Sequence, residues 1–109
     1  MNGSLHEFKA DFFKALGHPL RLRILDALRE GEKSVSALQA ELGAEQSTLS
    51  QHLGVLRRRG FVAARKEGTL IYYRANDAEV YPFLDLGRAL FERHLERSSL
   101  LLAASGEAG

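Results

Sequence analysis

The chain has 109 residues, of which 45% are hydrophobic and 27% charged, enough for one modest core and too apolar for a disordered polyelectrolyte. Cysteine is absent, which excludes disulfides, thiolate metal sites and cysteine nucleophiles, and the formal net charge is only +1. No apolar run approaches the ~18–20 residues of a membrane span and no export signal opens the sequence, so the expectation is a cytoplasmic protein with no membrane partner.

Leu5, Phe8, Phe12 and Leu16 recur at helical spacing, and Gly17 closes this first helix. His18-Pro19 restarts the chain, with Pro19 suited to the first helical position and His18 expected to cap rather than to ligate. Leu20, Ile24, Leu25 and Leu28 form the stripe of a second helix that Gly31 ends. Ser34 is a candidate N-cap for a short third helix, buried through Val35, Leu38 and Leu42 and stopped by Gly43. A fourth helix spans about Gln46 to Arg59, with Leu49, Leu53 and Leu56 as its buried edge, and Gly60 ends it. Phe61 to Lys66 and Leu70 to Ala75 are β-prone runs around Glu67-Gly68, the pattern of a hairpin. From Asp77 a long helix carries Val80, Phe83, Leu84, Leu86, Leu90, Phe91 and Leu95, with Pro82 in its first turn. That apolar set is too wide for one stripe and implies burial on two sides. Residues 1–104 read as one domain and 105–109 as a loose tail.

Charge is unevenly spread. Residues 46–74 hold six basic side chains (Arg57, Arg58, Arg59, Arg65, Lys66 and Arg74) against the single acid Glu67, a net of +5, so the rest of the chain carries −4. A short helix, a tight break at Gly43-Ala44-Glu45 and a second amphipathic helix make a helix-turn-helix, and the hairpin after it makes it winged. The expected fold is therefore mainly α with a small β-hairpin: four helices, the hairpin, then a fifth helix.

On a helical wheel Leu49, Leu53 and Leu56 set the buried direction of the fourth helix. Ser47, Gln51, Gly54 and Arg58 fall opposite, flanked by Thr48, Ser50 and Val55. Serine, threonine and glutamine hydrogen-bond base edges, and a glutamine amide pairs with adenine through two bonds. Gly54 removes a side chain where the helix would approach a duplex most closely. The candidate double-stranded DNA contacts are Gln46, Ser47, Thr48, Ser50, Gln51, His52 and Arg58 on the helix, with Arg65, Lys66 and Thr69 on the wing. His52 lies nearer the core edge, so packing competes with contact there. Arg58, Arg65 and Lys66 from two chains would neutralise about six phosphates, a log–log salt slope near −5. A winged helix used only for protein interaction would need neither the polar face nor the basic wing. No nucleophile elbow, phosphate loop or paired-carboxylate pattern points to an enzyme.

Three stretches resemble the ArsR/SmtB family of bacterial winged-helix regulators: FFKALGHPLRLRILDAL at 12–28, STLSQHLGVLRRRGFV at 47–62 and RKEGTLIYYR at 65–74. With the flanking helices, the resemblance covers about residues 5 to 97. It implies a transcription regulator, usually a repressor, that binds a near-palindromic operator as a homodimer joined through its first and last helices. Leu5, Phe8, Phe12, Val80, Leu84, Phe91 and Leu95 are the residues expected at that interface.

The family's metal sites are broken here. Its Cys-x-Cys in the third helix is replaced by Ser34-Val35-Ser36, and hydroxyls are poor ligands for soft metals. On the last helix, Asp85 is followed two places on by Gly87, and His94 three places on by Arg97. The expectation is no resident cofactor. The alternative is a regulator responding to a divalent metal such as nickel, zinc or cobalt through a non-standard site at His6 and His94.

Overall fold

A computed structural model describes residues 3–108. Helix boundaries fall where a short polar side chain or a glycine accommodates loose backbone groups. Ser4 accepts the Glu7 N–H at 3.0 Å and starts α1 (Leu5–Leu16), which ends at Gly17. His18 Nδ1 accepts the Leu20 N–H at 3.1 Å, and Pro19 opens α2 (Pro19–Ala27), so His18 is a cap as its place in the sequence suggests. Leu28, predicted to close the stripe of α2, instead lies in a 3-10 turn (Leu28–Glu30), although it is only 2% exposed.

Ser34 accepts the Ala37 N–H at 3.1 Å and starts α3 (Val35–Leu42). Gly43 ends that helix in the left-handed region at φ 62°, where a side chain would strain the backbone. Three residues later α4 (Gln46–Arg58) begins, which completes the helix-turn-helix. Ile24 and Leu25 of α2, Leu38 of α3, and Leu49, Leu53 and Leu56 of α4 are fully buried. These residues form the core that fixes α4 against the two preceding helices. The leucine edge read from the sequence is the edge that is buried.

Three antiparallel strands make one small sheet: β1 (Lys33–Ser34), β2 (Val62–Glu67) and β3 (Leu70–Ala75), in the order β1-β3-β2. The hairpin turns at Gly68-Thr69, with Glu67 opposite Leu70 and Gly68 at φ 61°. The hairpin is legible in the sequence, but β1, whose Lys33 and Ser34 pair with Tyr73 and Tyr72, is not. Two residues are too few to show a period-2 pattern. β1 matters because it makes β3 the central strand and ties the base of the wing to the start of α3.

The described chain divides into two compact units, one ending at Ala78 and the other beginning at Glu79, where the sequence reading has a single domain. The second unit is one helix, α5 (Val80–Ala108), with Pro82 in its first turn, where a missing N–H costs no helical bond. It starts three residues later than predicted, and the backbone is helical through 105–108 in place of the predicted loose tail. Leucine and alanine dominate 100–104 and no proline interrupts the run, so helix propensity carries α5 onward. No helix among the described residues is long and apolar enough to cross a membrane.

Candidate nucleic-acid interface

With Leu49, Leu53 and Leu56 inside, Gln46, Ser47, Thr48, Ser50, Gln51 and Arg58 are all exposed on α4. Glu45 precedes the helix without a side-chain capping bond, so the first N–H groups of α4 keep their hydrogen-bonding capacity for another partner. Arg57 and Arg58 lie in the last turn, where the helix dipole favours cations. A Cβ built on Gly54 would sit 3.2 Å from Arg58 Nη1. The Arg58 guanidinium therefore folds back over the bare backbone of Gly54, one turn away on the same face.

His52 is the side chain of the predicted set that the structure turns inward, being only 9% exposed. Its ring stacks on that of His18 with centroids 4.1 Å apart, and Arg21 Nη1 donates to its Nδ1 at 3.2 Å. Arginine only donates, so Nδ1 is the acceptor and the proton sits on Nε2. The same guanidinium donates through Nε to the Ala15 carbonyl at 2.7 Å and through Nη2 to that of Lys14 at 3.3 Å. Burial, then His18 and Arg21, pushes the His52 pKa down. His52 is thus a positioning residue that locks α4 onto α2 and the end of α1, a correction to its place among the DNA contacts.

On the wing, Arg65 has partners within the chain. Arg65 Nε donates to both carboxylate oxygens of Glu32 at 2.9 and 2.8 Å, and Nη2 donates to Oε1 at 2.6 Å. Nη1 donates to Glu67 Oε2 at 2.8 Å, and Cζ lies 4.5 Å from the Tyr72 ring centroid. The hydrogen bonds from Arg65 hold the Glu32 carboxyl below the usual range, and those to Glu32 and Glu67 push the Arg65 pKa up. Arg65, a phosphate contact in the sequence reading, is here paired with two carboxylates. Lys66 and Thr69 remain exposed at the wing, and among the described residues Lys66, Arg57 and Arg58 carry no ion pair. Arg59 lies 3.8 Å from Asp11.

α4 and the wing meet across a cleft of about 270 Å³. Gln46 and Ser50 line one wall and Thr69 another, which brings together residues that the sequence placed on separate elements. Ser36 and Gln39 of α3 and Tyr73 of β3, none of them among the contacts expected from sequence, also line it. The spacing of Ser36 and Gln39, one helical turn apart on α3, was the available signal.

Of the residues predicted at a dimer interface, Leu5, Phe8, Phe91 and Leu95 are 50–67% exposed, and Leu84 is half-buried. Val80 is only 6% exposed within the chain, and the Phe12 ring packs 5.2 Å from that of Phe61. Phe12 is therefore partly covered within its own chain. His6 and His94 are exposed on α1 and α5, and among the described residues no three His, Asp or Glu side chains gather as a metal site.

A family model described as a helix-turn-helix domain matches residues 16–65, the segment holding α2, α3, α4 and the first half of the wing. The chain is 44% identical over 108 residues to Rv0081, an uncharacterised HTH-type transcriptional regulator of Mycobacterium tuberculosis, covering 95% of each protein. Its crystal structure superposes with a TM-score of 0.76 over 86% of this chain and 95% of that one. The homodimeric winged helix-turn-helix DNA-binding domain of Mb0332 from Mycobacterium bovis superposes with a TM-score of 0.73 at 36% identity, over 87% of this chain and 94% of that one. This chain belongs to the ArsR/SmtB family of winged helix-turn-helix transcriptional regulators. A further relative, the biofilm growth-associated repressor of Xylella fastidiosa, is 46% identical over 70 residues, 64% of this chain and 61% of that protein. The protein is thus a DNA-binding regulator and not an enzyme.

Proposed function

We propose that the protein is a cytoplasmic homodimeric repressor that binds a near-palindromic operator, reading bases with Ser47, Gln51 and their neighbours on α4 and anchoring to phosphates through Arg58 and Lys66. The observation that carries this reading is the division of α4 into a fully buried leucine edge and an exposed hydroxyl and amide face ending in an unpaired Arg58. A recognition helix needs such a face, because bases are read through donors and acceptors in the major groove. A two-fold dimer presents two such helices, and a palindrome is the matching arrangement of half-sites. Ser36 and Gln39 of α3 line the cleft beside α4, and the helix before a recognition helix crosses the phosphate backbone, which supports a backbone contact by these two residues. The reading includes no resident metal, since Ser34, Gly87 and Arg97 stand where the family's ligands would be.

Gel-shift titrations with the protein's own promoter and a random duplex test it. Gln51→Ala and Ser47→Ala remove polar groups from the exposed face and nothing from the core. Each lost base contact should weaken the specific site by about 1–3 kcal/mol and leave random DNA nearly unchanged. Leu53→Ala should act on folding instead, opening a cavity worth about 2–5 kcal/mol and lowering Tm. Equal weakening of specific and random DNA by Gln51→Ala would refute base reading by that residue.

A further inference from the structure

Across the sheet, Glu32 stands just before β1, Tyr72 lies on the central strand β3, and Arg65 sits opposite Tyr72 on β2. Glu67 shares a face of β2 with Arg65, two residues on. The guanidinium makes three bonds to Glu32 and one to Glu67 while lying over the Tyr72 ring, so Arg65 binds two carboxylates as it would otherwise bind phosphates. The three side chains together carry one net negative charge on a wing that contributes Lys66 as its unpaired cation near the tip.

We infer that Glu32 and Glu67 mask Arg65 from phosphate and so act as affinity-limiting residues, lowering the affinity of the wing for DNA of any sequence. Phosphate attraction supplies essentially all sequence-independent binding, whereas base reading by α4 adds only at the operator. Removing one cation per protomer from the phosphate count weakens random sites and the operator alike and leaves the bases that α4 reads untouched. The mask also fixes the wing, because Glu32 precedes β1 while Arg65 is on the far strand of the sheet. Glu32 is held in its charged form by Arg65, so the mask persists at neutral pH. This inference rests on the proposed contact between wing and phosphates.

Binding of the full-length protein to a random-sequence 30-base-pair duplex, followed between about 50 and 200 mM salt, tests it in a double-mutant cycle. Glu32→Gln with Glu67→Gln keeps side-chain size and an acceptor for the guanidinium but removes both charges. The log–log slope should steepen by about 0.9 per protomer, costing a dimer about tenfold more affinity across that salt range. The same pair of changes in an Arg65→Ala background should give no steepening, and Arg65→Ala alone should leave the wild-type slope in place. Should the double variant fold poorly, Glu32→Gln alone serves, since Glu32 accepts most of the bonds. Steepening that survives in the Arg65→Ala background would overturn the mask, because the carboxylates would then act only through general charge. A slope flattened by Arg65→Ala as much as by Lys66→Ala would also overturn it, since Arg65 would be leaving its partners for phosphate. If Lys66→Ala leaves the slope unchanged, the wing does not reach phosphate and both readings fail; if it flattens the slope without Arg65-dependent steepening elsewhere, the mask alone fails.

Discussion

His52 Nδ1 takes its hydrogen bond from Arg21, so this ring cannot gain a proton without giving up that bond. Burial is the main reason its pKa lies below the ordinary histidine value, with His18 and Arg21 adding repulsion. Above about pH 6.5 the ring is neutral in folded and unfolded chains alike, and the contact is intact. As pH falls below that value the unfolded chain takes the proton first, so stability drops until the folded ring protonates at its own lower pKa. Melting temperatures from pH 8 to 5 should therefore decline on the acid side for the wild type. His52→Gln retains an acceptor for Arg21 but does not titrate, and its decline over the same window should be shallower. An identical pH profile in the two proteins would remove His52 as the titrating group. DNA affinity should follow the same trend, because α4 is positioned through this ring and not through contact of the ring with DNA.

At the scale of elements, α4 combines two demands that pull Gly54 in opposite directions. A helix interior prefers alanine to glycine by about 1 kcal/mol, and the only near contact of an added methyl is the mobile end of Arg58 at 3.2 Å. Gly54→Ala should raise Tm, since Arg58 is exposed and can shift. The same methyl would displace Arg58 and stand off the duplex, so operator affinity should fall while the fold gains stability. A variant that is more stable and binds as well as the wild type would show that α4 does not dock closely at Gly54. This element was legible in the sequence because leucines at 49, 53 and 56 fix one face and thereby its opposite. The hairpin was legible from two β-prone runs about Glu67-Gly68. What escaped was non-local: Glu32 is 33 residues from Arg65, and Arg21 is 31 from His52. A basic residue reads as available for phosphate until the fold supplies its partner, and β1, which carries Glu32 to the sheet, is too short to announce itself.

For the whole molecule, the decisive quantity is apolar surface that one chain leaves uncovered. On α1, Leu5 is 61% and Phe8 67% exposed; on α5, Phe83, Leu86, Leu90, Phe91 and Leu95 are each at least half exposed. Burial returns about 25 cal/mol per Å² of apolar area, and patches beyond a few hundred Å² are rare on monomers. Each helix taken by itself presents more leucine and phenylalanine than a solvated helix face carries. A second copy, joined by a closed two-fold interface, is the commonest way to cover such faces and suits paired half-sites on DNA. Sedimentation equilibrium at micromolar concentration should give twice the 12.1 kDa chain mass. Phe91→Glu places a charge on the exposed apolar face of α5 without touching a core residue, because Phe91 is 57% exposed in the single chain. It should shift the protein toward the single-chain mass and weaken operator binding, with α4 and the wing unchanged. A wild-type protein that sediments as one chain, or a Phe91→Glu protein that remains a tight dimer with full operator affinity, would place the two-fold contact elsewhere or remove it.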